Sequence, residues 1–193
     1  MKLLVGLGNP GAQYARNRHN VGFMVLDRLH ARGMASEWRE KYVGLASRVI
    51  LAGREVTLLK PQTFMNLSGR SVVRALQQMG VGIKDALVIH DELELPFGEL
   101  RPKVGGGHGG HNGLRDITAT AGADFARLRV GIGRPEHGPV DAYVLSGFSR
   151  DEAAQLDAIL DRAADLAESM LSEGPDAVVA RAAGGKKPAP KKK

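Results

Sequence analysis

The chain of 193 residues contains no cysteine. This absence excludes a disulfide framework, a thiolate nucleophile and a cysteine-ligated zinc site together. Aromatic residues make up only 5% of the sequence, which argues against a broad surface on which nucleic-acid bases stack. No apolar run approaches the roughly 18 residues of a membrane-spanning helix, and the N-terminus lacks the apolar core of a signal peptide. We therefore expect a cytoplasmic protein without membrane contact, built as a single domain.

The charges are sorted into blocks along the sequence. Residues 1–149 carry 19 lysines and arginines against 13 acids, residues 150–180 carry two arginines against eight acids, and residues 181–193 carry six cations and no acid. A basic body suggests an anionic macromolecular partner, most simply nucleic acid. A solvated acidic helix followed by a lysine-rich tail explains the composition equally well.

Strand and helix patterns alternate through residues 1–183, which we expect to form one domain. Strands are predicted over Lys2–Leu7, Tyr42–Leu51, Glu55–Lys60, Ala86–His90, Glu99–Val104 and Phe125–Ile132. Helices are predicted over Val21–Ala31, Ser68–Met79 and Asn112–Ala121, with a long one running from the capping box Ser149-Arg150-Asp151-Glu152 to Gly174-Pro175. This alternation predicts an α/β fold, a three-layer sandwich around a twisted mixed β-sheet. Residues 184–193, rich in lysine and proline, cannot bury a core and are expected to form a disordered basic tail.

Polar side chains fall at the ends of four predicted strands. Asn9, Asn66, Asp91 and a glycine-rich loop with Asn112 each follow one of them. Ligand sites of α/β sheets gather beyond the carboxyl ends of the strands, so we expect these residues in one crevice. His19 joins them if the first helix packs on the sheet. Each asparagine also has an ordinary structural explanation, as a turn residue or as a helix cap.

The segment Gly105–Gly113 holds six glycines in nine positions, with His108 and His111 between them. Glycine costs about 0.5 to 1 kcal/mol relative to alanine inside a regular element. The segment therefore indicates a loop whose main chain approaches a ligand closely or moves. Its histidines, with His90 and Asp91, leave a metal site open as an alternative, although their spacing lacks the rigid pattern of known zinc motifs.

The run from Gly6 to Gly11 matches the dinucleotide fingerprint G-x-G-x-x-G after a strand. In that motif the next helix begins at once, so that its N-terminus meets the pyrophosphate. Here a polar segment through Arg18 delays the helix to Val21, and the expected ribose-binding acid is missing. A nucleotide-dependent enzyme and a non-catalytic RNA-binding module are the alternatives to the chemistry considered next.

The remaining polar residues suit general-base chemistry. His19 is the best placed base, because the positive end of the following helix disfavours the imidazolium and keeps the ring able to accept a proton. Asp91 can bind one ring N–H, fix the tautomer and stabilise the transient cation. The amides of Asn9, Asn66 and Asn112 can bind a carbonyl, an oxyanion or an attacking water. Asn20 stands at the N-cap position of the helix that follows His19.

Four blocks of sequence carry a resemblance to a known family. They are Val5-Gly6-Leu7-Gly8-Asn9-Pro10-Gly11 with Tyr14 and Arg18-His19-Asn20, then Thr63-Phe64-Met65-Asn66-Leu67-Ser68-Gly69, His90-Asp91-Glu92-Leu93, and the run Gly105 to Gly113. Together they resemble bacterial peptidyl-tRNA hydrolases over about 180 residues. The resemblance implies a hydrolase that cleaves the ester between a peptide and the 3′ ribose of tRNA, recycling tRNA from abortive translation.

The resemblance also implies residue roles. His19 would activate water, Asp91 would keep that histidine basic, and Asn9 would separate peptidyl-tRNA from free aminoacyl-tRNA. The CCA end and the esterified peptide would be contacted by Tyr14, Phe64, Asn66 and Asn112. Cations for the acceptor-stem phosphates would be Arg101, Lys103 and Arg129, although Arg101 beside Pro102 also fits a solvated edge-strand charge. The family needs no metal or other cofactor, and we expect a monomer.

Overall fold

The computed structural model describes residues 1–184, and its strands form one sheet. The strands are β1 Leu3–Gly6, β2 Met34–Ala35, β3 Arg39–Lys41, β4 Gly44–Leu51, β5 Arg54–Pro61, β6 Ala86–Glu92, β7 Leu100–Val104 and β8 Ala126–Gly131. The helices are α1 Val21–Arg32, α2 Ser68–Met79, α3 Asn112–Ala121, α4 Val140–Val144, α5 Arg150–Glu173 and α6 Pro175–Gly184. Every predicted strand and helix is present, and α6 forms where the sequence indicates only a last short helical turn. β2, β3 and α4 were not predicted because they are too short to show a periodic pattern.

The sheet is mixed, with its parallel strands in the middle. Its order is β2-β4-β5-β1-β6-β8-β7, and β3 also pairs with β4. Strands β5, β1, β6 and β8 run parallel to one another, whereas β4 and β7 run antiparallel to their inner neighbours. The carboxyl ends of the four parallel strands therefore meet at one end of the sheet, where α/β proteins place their ligand sites.

Alternation of side chains along the strands gives each face of the sheet its own core. Leu4 of β1 packs with apolar residues of α1, α5 and α6, whereas Leu3 and Val5 pack with residues of α2 and α3. Period-two alternation sends neighbouring residues to opposite faces, so one strand serves both layers. Helices cover both faces, which confirms the three-layer sandwich.

Most of the acidic residues of 150–180 lie on α5, which packs against α1 and its basic side chains. Arg28 bonds to Asp157, and Arg32 bonds to Asp161 and Asp165. The predicted capping box opens this helix, since the Ser149 hydroxyl accepts from the Glu152 N–H and the Glu152 carboxylate accepts from the Ser149 N–H. The negative charge of α5 is thus partly neutralised by the arginines of α1.

The C-terminal part of the chain is described up to α6. Gly184, where the predicted tail begins, is the last residue of that helix. Residues 185–193 lie outside the described residues, so the predicted disorder of that segment stays a prediction. Among residues 1–184, no helix combines the length and apolar character needed to cross a bilayer.

Candidate active site

The predicted catalytic and substrate-contact residues come together at the carboxyl end of the parallel strands. Two adjoining depressions lie there, of about 240 and 360 Å³. The smaller is lined by His19, Asp91 and the segment from His108 to Asn112. The larger is lined by Asn9, Tyr14, His19, Phe64, Met65, Asn66, Asn112 and three residues of the α4 region, Asp141, Val144 and Leu145. Because His19 and Asn112 border both depressions, the two form one crevice.

A histidine and an aspartate are paired at the bottom of this crevice. His19 lies in a short 3-10 turn just before α1, and its Nδ1 is 2.9 and 3.0 Å from the two carboxylate oxygens of Asp91 at the end of β6. Asp91 is only 3% exposed. A carboxylate accepts hydrogen bonds, so Nδ1 of His19 carries the proton. The other ring nitrogen, Nε2, is left to accept a proton.

The electrostatics of this pair differ from the sequence-based expectation. Burial disfavours the charged form of His19, but the attraction and the hydrogen bond of Asp91 outweigh it and raise the pKa of His19 above 6.5. The direction is opposite to the prediction from the dipole of α1, which disfavours the imidazolium. A full charge at hydrogen-bond distance outweighs the partial charge of a helix end. Burial also opposes the charge of Asp91, but His19 and His111 outweigh it and hold the pKa of Asp91 well below its usual range.

A second imidazole, His111, also bonds to Asp91. Its Nε2 lies 2.9 Å from the same carboxylate, while its Nδ1 accepts from the N–H groups of Gly113 and Leu114 at 3.1 and 3.3 Å. An accepting Nδ1 places the ring proton on Nε2, which therefore donates to Asp91. His111, not Asn112, is the N-cap of α3. The amide of Asn112 is thus free of the capping role that was one explanation for it.

Three potential metal ligands lie close together here, although not the set considered from the sequence. One nitrogen each from His19 and His111 and a carboxylate oxygen of Asp91 all lie within 4.8 Å of one another. A metal on Nε2 of His111 would force the ring proton onto Nδ1, against the two N–H groups that donate to it. His90 is buried and bonds to the carbonyl of Asp91, and burial lowers the pKa of His90 to about 3. The contacts of this cluster are explained by hydrogen bonding around one carboxylate.

Asn9 is held in a fixed orientation by two other residues. Its Oδ1 accepts from the Met65 N–H at 2.7 Å. Its main chain forms two bonds of 2.9 Å with the side chain of Asn20. Asn20 occupies the predicted N-cap position of α1, but its side chain bonds to Asn9 and makes no capping hydrogen bond to the helix. With Oδ1 of Asn9 engaged, its Nδ2 group is the part available to donate to a substrate.

The rim of the crevice is more apolar than the sequence indicates. Phe64 is 60% exposed, and Leu145, from the turn that ends α4, is 44% exposed. Asn66 is exposed beside Phe64 and does not cap α2, whose N-cap position is Leu67. Exposed apolar side chains bordering a polar crevice suit a substrate with an apolar portion. The α4 residues were missed because a five-residue helix carries no detectable period.

The glycines of the dinucleotide-like motif allow α1 to pack closely against the end of β1. A Cβ at Gly6 would lie 2.3 Å from the Gly22 carbonyl oxygen, and one at Gly8 would lie 2.8 Å from the Phe23 ring. A Cβ at Gly22 would in turn lie 2.4 Å from the Leu7 nitrogen. These glycines let α1 press against the end of β1. They bring His19, which precedes α1, into the crevice.

The glycine-rich loop reaches the crevice along a path that differs from the prediction, which placed the end of the preceding strand at the crevice. Strand β7 is antiparallel to β8, so its carboxyl end lies at the far end of the sheet from Asp91. The loop begins there, where the Gly105 N–H bonds to the Phe125 carbonyl at 2.9 Å. It then runs back along the sheet until His111 meets Asp91. An extended segment of small residues can cover this distance.

The predicted phosphate-binding cations lie on β7 and β8, beside the glycine loop. Arg101 faces Arg129 in register, and Lys103 faces Arg127. Residues two apart on a strand share a face, so all four side chains lie on one face of the sheet. Arg101, Lys103 and Arg129 are partly exposed and form a basic strip, whereas Arg127 is buried. Arg101 pairs with Glu99 and Arg129 lies 4.0 Å from Glu92, which reduces the charge at both positions. Arg127 was not singled out from the sequence.

Comparisons with known proteins identify the family of this chain. A family model described as peptidyl-tRNA hydrolase matches residues 3–191. A peptidyl-tRNA hydrolase of Geobacter sulfurreducens is 55% identical over 175 residues, covering 90% of each chain. One from a Methylobacterium strain is 48% identical over 178 residues, covering 92% of this chain and 87% of the other. The crystal structure of the Acinetobacter baumannii peptidyl-tRNA hydrolase superposes with a TM-score of 0.87 at 38% identity, covering 98% and 97% of the two chains. The chain belongs to the peptidyl-tRNA hydrolase family.

Proposed function

We propose that this protein hydrolyses the ester joining a peptide to the 3′ ribose of tRNA, with His19 as the base that activates water. The observation that carries the proposal is the hydrogen bond of His19 Nδ1 to Asp91 at the bottom of the crevice. It leaves Nε2 as the basic atom, while the asparagines supply donors nearby. Family membership supports the same reaction.

The reaction needs no covalent intermediate on the protein. Nε2 of His19 takes a proton from water as the oxygen attacks the ester carbonyl, giving a tetrahedral oxyanion and an imidazolium. The oxyanion then collapses, the bond to the 3′ oxygen breaks, and the imidazolium returns its proton to that oxygen. Asp91 stabilises the cation between these steps, and His111 keeps the carboxylate in place.

Side-chain amides beside His19 donate hydrogen bonds to the acyl part of the substrate. We assign the oxyanion to Asn112, which lines both parts of the crevice with His19. The Nδ2 group of Asn9 donates to a carbonyl of the peptide. A free aminoacyl ester offers an ammonium group there instead, which a hydrogen-bond donor rejects. This contrast accounts for selection of peptidyl-tRNA over aminoacyl-tRNA.

The outer part of the crevice takes the ends of the substrate. Tyr14, Phe64 and Asn66 lie along it and receive the CCA end and the first peptide residues. The strip of Arg101, Lys103 and Arg129 accepts acceptor-stem phosphates, a contact that gives affinity without reading sequence. The enzyme so described acts as a cytoplasmic monomer without a metal or other cofactor.

One incubation separates this proposal from its alternatives. The protein is mixed with peptidyl-tRNA or free aminoacyl-tRNA, with a metal chelator and without nucleotide. We expect ester cleavage of the blocked substrate alone, abolished in His19→Asn and retained in the matched variant His137→Asn, an exposed histidine. Retention of the ester with tRNA bound would identify an RNA-binding module. A requirement for nucleotide or metal would also overturn the proposal.

A further inference from the structure

Arg127 is a buried arginine beneath the glycine loop, and the reaction described above does not use it. It is 1% exposed, and its guanidinium lies over the Phe125 ring, 4.5 Å from the centroid. The two terminal nitrogens donate to successive loop carbonyls, to Gly107 at 2.6 Å and to Gly106. A planar fork of donors suits two neighbouring acceptors in a way that a single ammonium does not.

The charge of Arg127 has no carboxylate in direct contact with it among the described residues, and the nearby Glu92 pairs with Arg129 instead. Among residues 1–184 it forms no ion pair, and burial together with Arg129 lowers its pKa. A buried charge is costly unless hydrogen bonds compensate it. Here the compensation comes from the two glycine carbonyls, so the contact is central to why the side chain is tolerated.

The loop above Arg127 has few other means of keeping its shape. A Cβ at Gly107, Gly109 or Gly110 would meet no atom within 4 Å. Glycine also has more backbone freedom to lose on ordering than any other residue. The loop is fixed at its start by Gly105 and Arg127 and at its end by His111. Between these points, Gly109 and Gly110 line the crevice beside His19.

We propose that Arg127 is a positioning residue that holds the glycine loop against β8 and so preforms the wall of the crevice that receives the peptidyl group. This rests on the proposed function. Without the two hydrogen bonds from the Arg127 guanidinium, the loop has to become ordered when the substrate binds. The free-energy cost of that ordering lowers the affinity for the substrate. The His19 and Asp91 pair does not depend on the fork. The expected signature is a raised KM with a kcat close to that of the unchanged enzyme.

A direct contact between Arg127 and a substrate phosphate would give a different result for the conservative substitution Arg127→Lys. If Arg127 contributed only positive charge, Arg127→Lys would behave like the wild type and Arg127→Met would flatten the salt dependence of KM. If the fork positions the loop, both variants lose affinity, because lysine cannot reach two carbonyls in a fixed geometry. The salt dependence is then unchanged in Arg127→Lys.

The test measures kcat, KM and their salt dependence for both variants on peptidyl-tRNA, and amide hydrogen exchange of residues 105–111 in the free protein. Matched controls are Arg115→Lys and Arg115→Met, at an exposed arginine on α3. We expect KM to rise about tenfold, which corresponds to roughly 1.4 kcal/mol, with faster loop exchange only in the Arg127 variants. Wild-type KM in either variant, or unchanged loop exchange, would overturn the proposal. If Arg127→Met fails to fold, Arg127→Lys decides alone. Exchange is read without substrate, so it still tests Arg127 if the proposed reaction fails.

Discussion

The side chain of Asn20 bonds twice to the main chain of Asn9, donating to its carbonyl and accepting from its N–H, at 2.9 Å in both cases. The two residues are 11 positions apart, and both are buried. This reciprocal contact ties the segment that carries His19 to the turn after β1. His19, the proposed base, and Asn9, the proposed selecting amide, are therefore positioned together.

Replacing Asn20 by alanine tests this connection. Asn20→Ala removes both bonds and leaves buried main-chain groups of Asn9 unsatisfied, which costs about 1 to 3 kcal/mol of unfolding free energy. We expect lower kcat/KM and weaker discrimination against free aminoacyl-tRNA, measured by paired hydrolysis assays and by urea unfolding. Asn17→Ala, at a partly exposed asparagine in the same segment, is the control. Wild-type discrimination in Asn20→Ala would contradict the connection.

The pH dependence follows from the pKa of His19. The proposed base is active when neutral, so kcat/KM is expected to rise with pH through a midpoint above 6.5. Asp91→Asn removes the largest attraction that raises this pKa and leaves both the burial that lowers it and the smaller raising effect of Asp141. The midpoint then moves below that of the wild type, while the maximal rate falls on the order of a hundredfold or more. A pH–rate profile and an NMR titration of His19 measure both effects.

Asp124→Asn is the matched control for that experiment, since Asp124 is exposed and distant in sequence from the crevice residues. The acid side of the pH–rate profile of this variant should coincide with that of the wild type. An unmoved midpoint in Asp91→Asn would show that Asp91 does not set the basicity of His19.

The ring proton of His111 is open to direct observation. Nitrogen-15 NMR should show a neutral ring with the proton on Nε2, because Nδ1 accepts from two backbone N–H groups. His111→Ala removes this cap and is expected to cost about 1 kcal/mol of unfolding free energy, together with a loss of kcat. His108→Ala, in the same loop but without a bond to Asp91, should retain kcat. A proton found on Nδ1 would refute this arrangement.

The ion pair of Arg18 with Glu152 fixes the turn before His19 to the start of α5. Two bonds of 2.9 and 2.8 Å join them, and Arg18 is 6% exposed. Glu152→Gln leaves that buried cation without its carboxylate, so we expect a loss of about 2 to 4 kcal/mol of unfolding free energy. Asp157→Asn, which breaks the exposed pair with Arg28, should change it by less than about 1 kcal/mol. Equal losses in urea unfolding would contradict this ranking.

The contribution of the Arg18–Glu152 ion pair to the free energy of unfolding depends on pH. Burial raises the pKa of Glu152, but its bonds to Arg18 and Ser149 outweigh burial and place it below the usual 4.5. The stabilisation is therefore complete above about pH 5 and is lost as the pH falls through the lowered value. Urea unfolding at a series of acidic pH values should show a shallower decline in Glu152→Gln.

The close approach of α1 to β1 makes Gly22 intolerant of a side chain. A Cβ there would lie 2.4 Å from both the Ile89 oxygen and the Leu7 nitrogen, so Gly22→Ala must displace α1. We expect a lower melting temperature and reduced activity. Gly82→Ala, where a Cβ meets nothing within 4 Å, is the control and should leave both unchanged. A wild-type melting temperature in Gly22→Ala would contradict the packing role.

The sequence alone determined the longer strands and helices and the chemical types of residue at the site. The short apolar run around Leu4 and the helical period of α5 are local patterns, so these elements were predictable. His19 and Asp91 could be named because few residue types can act as a base and as its partner. The resemblance to a family supplied the individual roles.

Only the tertiary structure decided how distant segments meet. The antiparallel direction of β7, which reverses the path of the glycine loop, depends on pairing with β8 and leaves no local pattern. The cap formed by His111, the hold of Asn20 on Asn9 and the fork of Arg127 under the loop are likewise long-range contacts. The same packing reversed the expected pKa shift of His19, because an adjacent carboxylate acts more strongly than a helix end.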